Sequence, residues 1–162
     1  MGPDTFSAHG GGRLEAAIVE ITGILTGAGT IAGNSNTGTI VNNRGTITVG
    51  GVNNFGTINI VGNYRQDTLG TLNLEIGPLE MDRDHLAITG QARLHGTLNI
   101  ALIGAARPVA GTQFSMLTFA SLWAGAADFE TFNSLDLGNG VVLRRPNPVG
   151  QTAYVLTAAN QN

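Results

Sequence analysis

With 162 residues the chain is of single-domain size, long enough to bury a core without covalent staples. It has no cysteine, which excludes disulfides, thiolate catalysis, iron–sulfur clusters and cysteine zinc sites. Its eight basic residues are all arginine against eleven acids, net charge −3, and nowhere form the dense patch that phosphate neutralisation needs, so nucleic acid is not an expected partner.

The N-terminal stretch "MGPDTFSAHGGGRLEAAIVEITG" lacks a basic region followed by an uninterrupted apolar run, because Glu15 and Glu20 break its only candidate. No signal peptide is therefore visible, and no run reaches the roughly 18 apolar residues of a membrane helix, so no membrane span is expected. The Gly-rich "HGGGR" at His9 to Arg13 is followed by no Lys-Ser/Thr pair or nucleophile, and reads as a flexible leader rather than a phosphate loop. From Arg13 to Ile21, "RLEAAIVEI" fits either of two elements. One is an amphipathic helix with Leu14, Ala17, Ile18 and Ile21 on one stripe, capping the first coil. The other is an apolar strand that could be lent to a neighbour. Residues 1–22 are thus a leader and cap or donated segment.

From residue 23 to 104 the chain repeats itself. Gly-Thr followed by Ile or Leu recurs at Gly29, Gly38, Gly45, Gly56, Gly70 and Gly96, with Asn two positions ahead at Asn36, Asn43 and Asn54. Apolar residues then alternate strictly: Ile47 and Val49; Ile58 and Ile60; Leu72, Leu74 and Ile76; Leu86 and Ile88; Leu94, Leu98, Ile100 and Leu102. Period two means strands with one buried face, with Thr46, Thr48, Thr57, Asn59, Thr71, Asn73 and Glu75 on the solvent side and Asn and Gly turning the corners. Short strands at such spacing build either a meandering sandwich or a solenoid. Near-verbatim return of the phrase in "NNRGTITVGGVNNFGTINIVGN", which reads as two stacked rungs, favours winding. So does the scarcity of Asn-Gly hairpin dipeptides, found only at Asn139. A coil of about 20 residues would give roughly seven or eight turns.

The best candidate for chemistry in this region is "EMDRDH". In an extended segment Glu80, Asp82 and Asp84 would share one side, beside His85, where they could hold calcium or act as an acid/base pair. An acidic turn between strands is the plainer reading, and His9 and His95 lack a second ligand at metal-site spacing. No Ser-His-Asp order or Gly-x-Ser-x-Gly elbow is present. Neither catalytic residues nor a cofactor are therefore expected.

After Gly104 the repeat dissolves, and in residues 105–162 Phe114, Phe119, Trp123, Phe129 and Phe132 are read as filler of C-terminal coils and a cap rather than a sugar-stacking platform. Leu14, Ile18 and Ile21 at one end, with Tyr154 and Leu156 at the other, are the expected contacts between stacked subunits.

Three segments carry a family likeness: "GNYRQDTLGTLNLEIG", "DHLAITGQARLHGTLNIALIG" and "PVAGTQFSMLTFASLWAGAADF". Together, from about Asn63 to Phe132, they resemble the C-terminal passenger region of autotransporters and related haemagglutinin-like bacterial surface proteins. The resemblance implies a right-handed parallel β-helix (β-solenoid) ending in a cap. It gives Tyr64, Gln66, Asp84 and Gly96 structural roles, beside Asn43, Gly45, Asn54 and Gly56 of the preceding coils. No translocator barrel follows Asn162, so an excised fragment or a small subunit is implied.

A structural or adhesive protein of the bacterial cell surface, polymerising head-to-tail with itself and touching surface glycans or proteins, is the function expected. A polysaccharide-active β-helix enzyme would show a row of carboxylates along one face, and an ice- or carbohydrate-binding solenoid a flat Thr-x-Thr ladder. Thr and Asn replace the first, and Thr follows corner Gly instead of filling the second.

Overall fold

Every alternating stretch becomes a strand in the computed structural model, which describes residues 5–33, 38–124, 128–133, 135–146, 149 and 152–161. Among these residues there is no helix. The strands are β1 (Thr5–Glu15), β2 (Ile18–Ile21), β3 (Ile24–Ala32), β4 (Thr39–Asn43), β5 (Thr46–Val49), β6 (Thr57–Gln66), β7 (Thr71–Ile76) and β8 (His85–Ile88). They continue as β9 (Gln91–Arg93), β10 (Thr97–Leu102), β11 (Gln113–Thr118), β12 (Ser121–Leu122), β13 (Thr131–Phe132), β14 (Asp136–Gly138), β15 (Val141–Arg144) and β16 (Ala153–Asn160). "RLEAAIVEI" is thus the end of β1 and the whole of β2, the strand rather than the helix, and the Gly-rich segment expected to be a leader lies within β1.

Parallel pairing winds the strands into a three-faced β-helix. The first face stacks the start of β1, the first half of β3, β5, β7, β10 and β13. The second stacks the rest of β1 and of β3, the first half of β6, β8 and β11. The third stacks β2, β4, the second half of β6, β9 and β12. Residues 24, 46, 71 and 97 lie one above another, so a turn takes about 22 to 26 residues there, and the chain completes about four turns rather than seven or eight. The difference has two sources: loops 50–56, 77–84 and 103–112 lengthen the coil at the corner between the first and second faces, and the strands from β14 onward leave the winding altogether.

Inside, Leu25, Ile47, Leu72 and Leu98 form one apolar column, and Ile31, Ile60 and Ile88 another. On the third face large alternates with small, with Val41 and Ala92 on either side of the fully buried Tyr64. Outside, Thr48, Asn73 and Asn99 make a polar ladder, Asn99 Nδ2 donating to Asn73 Oδ1 and Asn73 Nδ2 to Thr48 Oγ1, each at 3.1 Å.

The two near-identical phrases do not stack on each other. Ile47 lies between Leu25 and Leu72 on the first face, whereas Ile58 lies between Gly29 and Leu86 on the second. They are successive faces of one turn, because their 11-residue separation is about half a coil. What does stack is the glycine of the phrase. Gly23, Gly45, Gly70 and Gly96 line the corner between the third and first faces, and their carbonyls accept the N–H of Thr46, Thr71, Thr97 and Thr131 at 2.8 to 3.0 Å. A Cβ on Gly45 would run into the Gly23 carbonyl, and one on Gly96, whose φ is +64°, into that of Gly70.

After β13 the winding stops. β16 pairs antiparallel with β11, β15 with β16 and β14 with β15, the last through a turn at Asn139-Gly140 with φ of 55° and 75°, the hairpin that this dipeptide specifies. Phe114 and Phe129 are buried beneath this cap, as the core-and-cap reading expects, and Tyr154 and Leu156 are buried with them, Phe129 edge-on to Tyr154 at 5.2 Å. Because the glycine corner sets the turn-to-turn spacing, Gly45→Ala should lower stability by about 1–3 kcal/mol in urea titration of the circular-dichroism signal, with the β spectrum retained.

Candidate functional site

The acidic segment does not bring the candidate calcium ligands Glu80, Asp82 and Asp84 together. Residues 78–82 form a turn instead of an extended run, so its carboxylates part company. Asp82 Oδ2 accepts the Leu79 N–H at 3.2 Å within that turn, and Glu80 is exposed. Asp84 has no exposure at all, Oδ1 accepting the Gly56 N–H at 2.8 Å and Oδ2 the Glu75 N–H at 2.7 Å. Among the described residues no three His, Asp or Glu side chains come close enough to hold a metal ion.

Glu75 is the residue that alternation misplaces. Read as solvent-facing, it is only 9% exposed, its two oxygens accepting the N–H groups of Asn53 at 2.9 Å and Asn54 at 3.1 Å. Glu75 and Asp84 together hold loop 50–56 of the preceding turn by its N–H groups. In that loop Asn53 takes the positive φ, at 58°, while Asn54 Nδ2 donates to the Gly50 carbonyl at 3.1 Å. Burial pushes the Asp84 carboxyl up to about 7 and the Glu75 charge adds to this, against the two N–H donors that pull it down. His85, whose Nε2 lies 3.1 Å from Thr118 Oγ1, is held low by burial and by Arg83.

A second buried polar cluster explains Asn43, Tyr64 and Gln66. Asn43, expected at a corner, ends β4 inside the core, where its Nδ2 donates to the Thr71 carbonyl at 3.1 Å. Tyr64 Oη donates to Gln66 Oε1 at 2.6 Å, and Gln66 Nε2 donates to the carbonyls of Gly70 at 3.1 Å and Thr97 at 2.9 Å. Burial holds the Tyr64 phenol far above its ordinary pKa, so it stays a donor. The Tyr-x-Gln pair thus reaches, through Asn43 below and Thr97 above, across successive turns.

The two ends of the solenoid differ. Among the described residues β1 pairs only with β3 and β2 only with β4, leaving their outer edges unpaired. Leu14 and Val19 are half-buried against the core, Ile21 is buried and Ile18 is 59% exposed on the outside. Leu14, Leu25, Ile31 and Ile58 line an apolar opening there. At the other end Tyr154 and Leu156, expected as contact residues, are fully buried inside the cap and unavailable to a neighbour. On the first face the Asn133 side chain folds over β10, Oδ1 accepting the Ile100 N–H at 2.7 Å and Nδ2 donating to its carbonyl at 2.9 Å. Trp123 lies over the Arg65 guanidinium at 4.2 Å rather than on an open platform.

Sequence reasoning also missed the loop-bearing corner. Val52 (79% exposed), Phe55, Leu79, Met81 (76% exposed) and Val109 all project from the three long loops there. Their signal, apolar residues between strands outside the period, is too weak to read from a single chain.

Fold and site together define a parallel β-helix that, among the described residues, has unpaired edges at its first turn and an antiparallel cap at its other end. No protein-family model matches the chain, and no curated protein matches it.

The Asp84 shift fixes a pH dependence. Its folded pKa, about 7, stands above the ordinary carboxylate value, so its stabilisation is complete below about pH 4 and is lost as pH rises through 7. Urea midpoints should fall over that window, and Asp84→Asn should flatten the fall. Gln66→Leu, which removes the acceptor of the Tyr64 hydroxyl and a buried donor from the carbonyls of Gly70 and Thr97, should cost about 3 kcal/mol in the same titration.

Proposed function

We propose that this chain is a structural or adhesive protein of the bacterial cell surface that assembles with its own copies through the open first turn of its β-solenoid. The observation that carries the reading is the difference between the ends: an apolar opening flanked by unpaired edges of β1 and β2 at one, an antiparallel cap at the other. Free edges add strands through main-chain hydrogen bonds, whether by end-to-end stacking or by strand donation. The resemblance of residues 63–132 to autotransporter passengers supports the location. The buried Glu75 and Asp84, engaged by backbone N–H groups, support a role in shape rather than catalysis. Apolar side chains on the corner loops offer contact to surface proteins or glycans.

A second reading draws on the same open turn, which is the surface that further coils of a longer autotransporter-type adhesin would cover. Analytical ultracentrifugation with electron microscopy separates the two. In the first, wild-type protein forms species above monomer mass that increase with concentration. Val19→Lys, whose ammonium can leave through the opening, stays monomeric and folded. Wild-type protein that remains monomeric at every concentration removes the assembly reading and leaves the second.

A further inference from the structure

Resting on the reading that the first turn is the assembly surface, we propose that two copies meet there first turn to first turn about a two-fold axis, the second half of β1 pairing antiparallel with itself around Leu14.

The far end is a poor acceptor for the near one. Parallel stacking of the first turn on the last would need a like-directed strand free on every face. On the second face β16, β15 and β14 reverse direction in succession, leaving the three-residue β14 outermost. On the first, the Asn133 amide occupies both backbone groups of Ile100. The first turn, in contrast, is complementary to itself. A two-fold rotation perpendicular to the solenoid axis reverses chain direction, so each free edge meets an antiparallel strand. The second face falls on the second face of the copy and the first face on the third. Interior stays on interior, closing the apolar opening on its own image.

Charge selects the register. Arg13 and Glu15 are exposed on either side of the inward Leu14, and within one chain they bond each other at 2.7 Å. Directly opposed residues in an antiparallel pair must share a face, so Leu14 can oppose only an inward residue. Centring the axis on Arg13 or on Glu15 sets like charges face to face. Centring it on Leu14 sets Arg13 against Glu15 of the second copy, twice, as an isologous contact requires.

The chain's lack of cysteine makes the test clean. Opposed Cα atoms on the axis would lie about 4.5–5.5 Å apart, within disulfide reach, so Leu14→Cys should oxidise to a covalent dimer. Arg13→Glu and Glu15→Arg should each weaken dimerisation about tenfold by sedimentation, and the double exchange R13E/E15R should restore it to within about twofold. These two positions are exposed, so the exchange stands whether or not Leu14→Cys folds. A Leu14→Cys variant that stays unlinked while its particles lengthen with concentration, or a double exchange no better than the single ones, overturns the two-fold contact while leaving assembly through the first turn intact. Monomer at every concentration overturns both.

Discussion

The fold depends on how closely one turn can lie on the next where the chain bends. Along a face the spacing of about 4.8 Å follows from strand hydrogen bonds, but at a corner any side chain directed at the neighbouring turn would hold the coils apart. The column Gly23, Gly45, Gly70 and Gly96 removes that obstacle and lets each carbonyl accept the N–H that opens the next turn's strand. Everything on the first face inherits its register from this column. Leu25, Ile47, Leu72 and Leu98 coincide inside, and Thr48, Asn73 and Asn99 coincide outside.

The corner between the first and second faces has no such column and solves the same problem differently. Loops of unequal length leave backbone N–H groups that no strand above them can accept, and side chains must do so. Glu75 reaches down to Asn53 and Asn54, Asp84 to Gly56, and Asp84 also accepts from Glu75 itself. Burial in this largely dry corner, to which the neighbouring Glu75 charge adds, is what displaces the Asp84 carboxyl so far upward. Tyr64 and Gln66 meet the same demand without charge, and their acceptors are the carbonyls at the start of the first-face strands. Polar groups enter this core wherever regular stacking leaves the backbone unmatched.

This division explains what could be read in advance. Alternation depends on neighbours in sequence, so the strands, their inward faces and the β-solenoid class were legible from Ile47 to Leu102, as were the Asn139-Gly140 hairpin and the aromatic cap. Stacking depends on residues some 17 to 34 positions apart, with loops that vary in length, and sequence similarity misled there. The two Asn-Asn-x-Gly-Thr-Ile phrases look like rungs, yet each stacks on unlike residues. Glu75 and Asn43 were misplaced for the same reason, since the groups they satisfy belong to other turns. Asp84 is buried and engaged by two backbone N–H groups, and its grouping with Glu80 and Asp82 assumed an extended segment where the chain turns.

The same distinction between near and distant pairing bears on the ends. A parallel solenoid is almost one-dimensional, and each turn is stabilised chiefly by the two beside it, so a terminal turn loses half of its stabilising neighbours. Reversal of chain direction ends such a stack, because antiparallel strands offer no register in which another parallel turn continues. β14, β15 and β16 do this on the second face, and Asn133 supports it by supplying an amide in place of the next rung on the first. Among the described residues the first turn carries neither device, and its inward residues Leu14 and Val19 are half-covered where their counterparts in later turns are buried. Closing that end requires strands from outside the described turns. The proposed two-fold contact would supply them from an identical end, with every added strand antiparallel to the edge it meets.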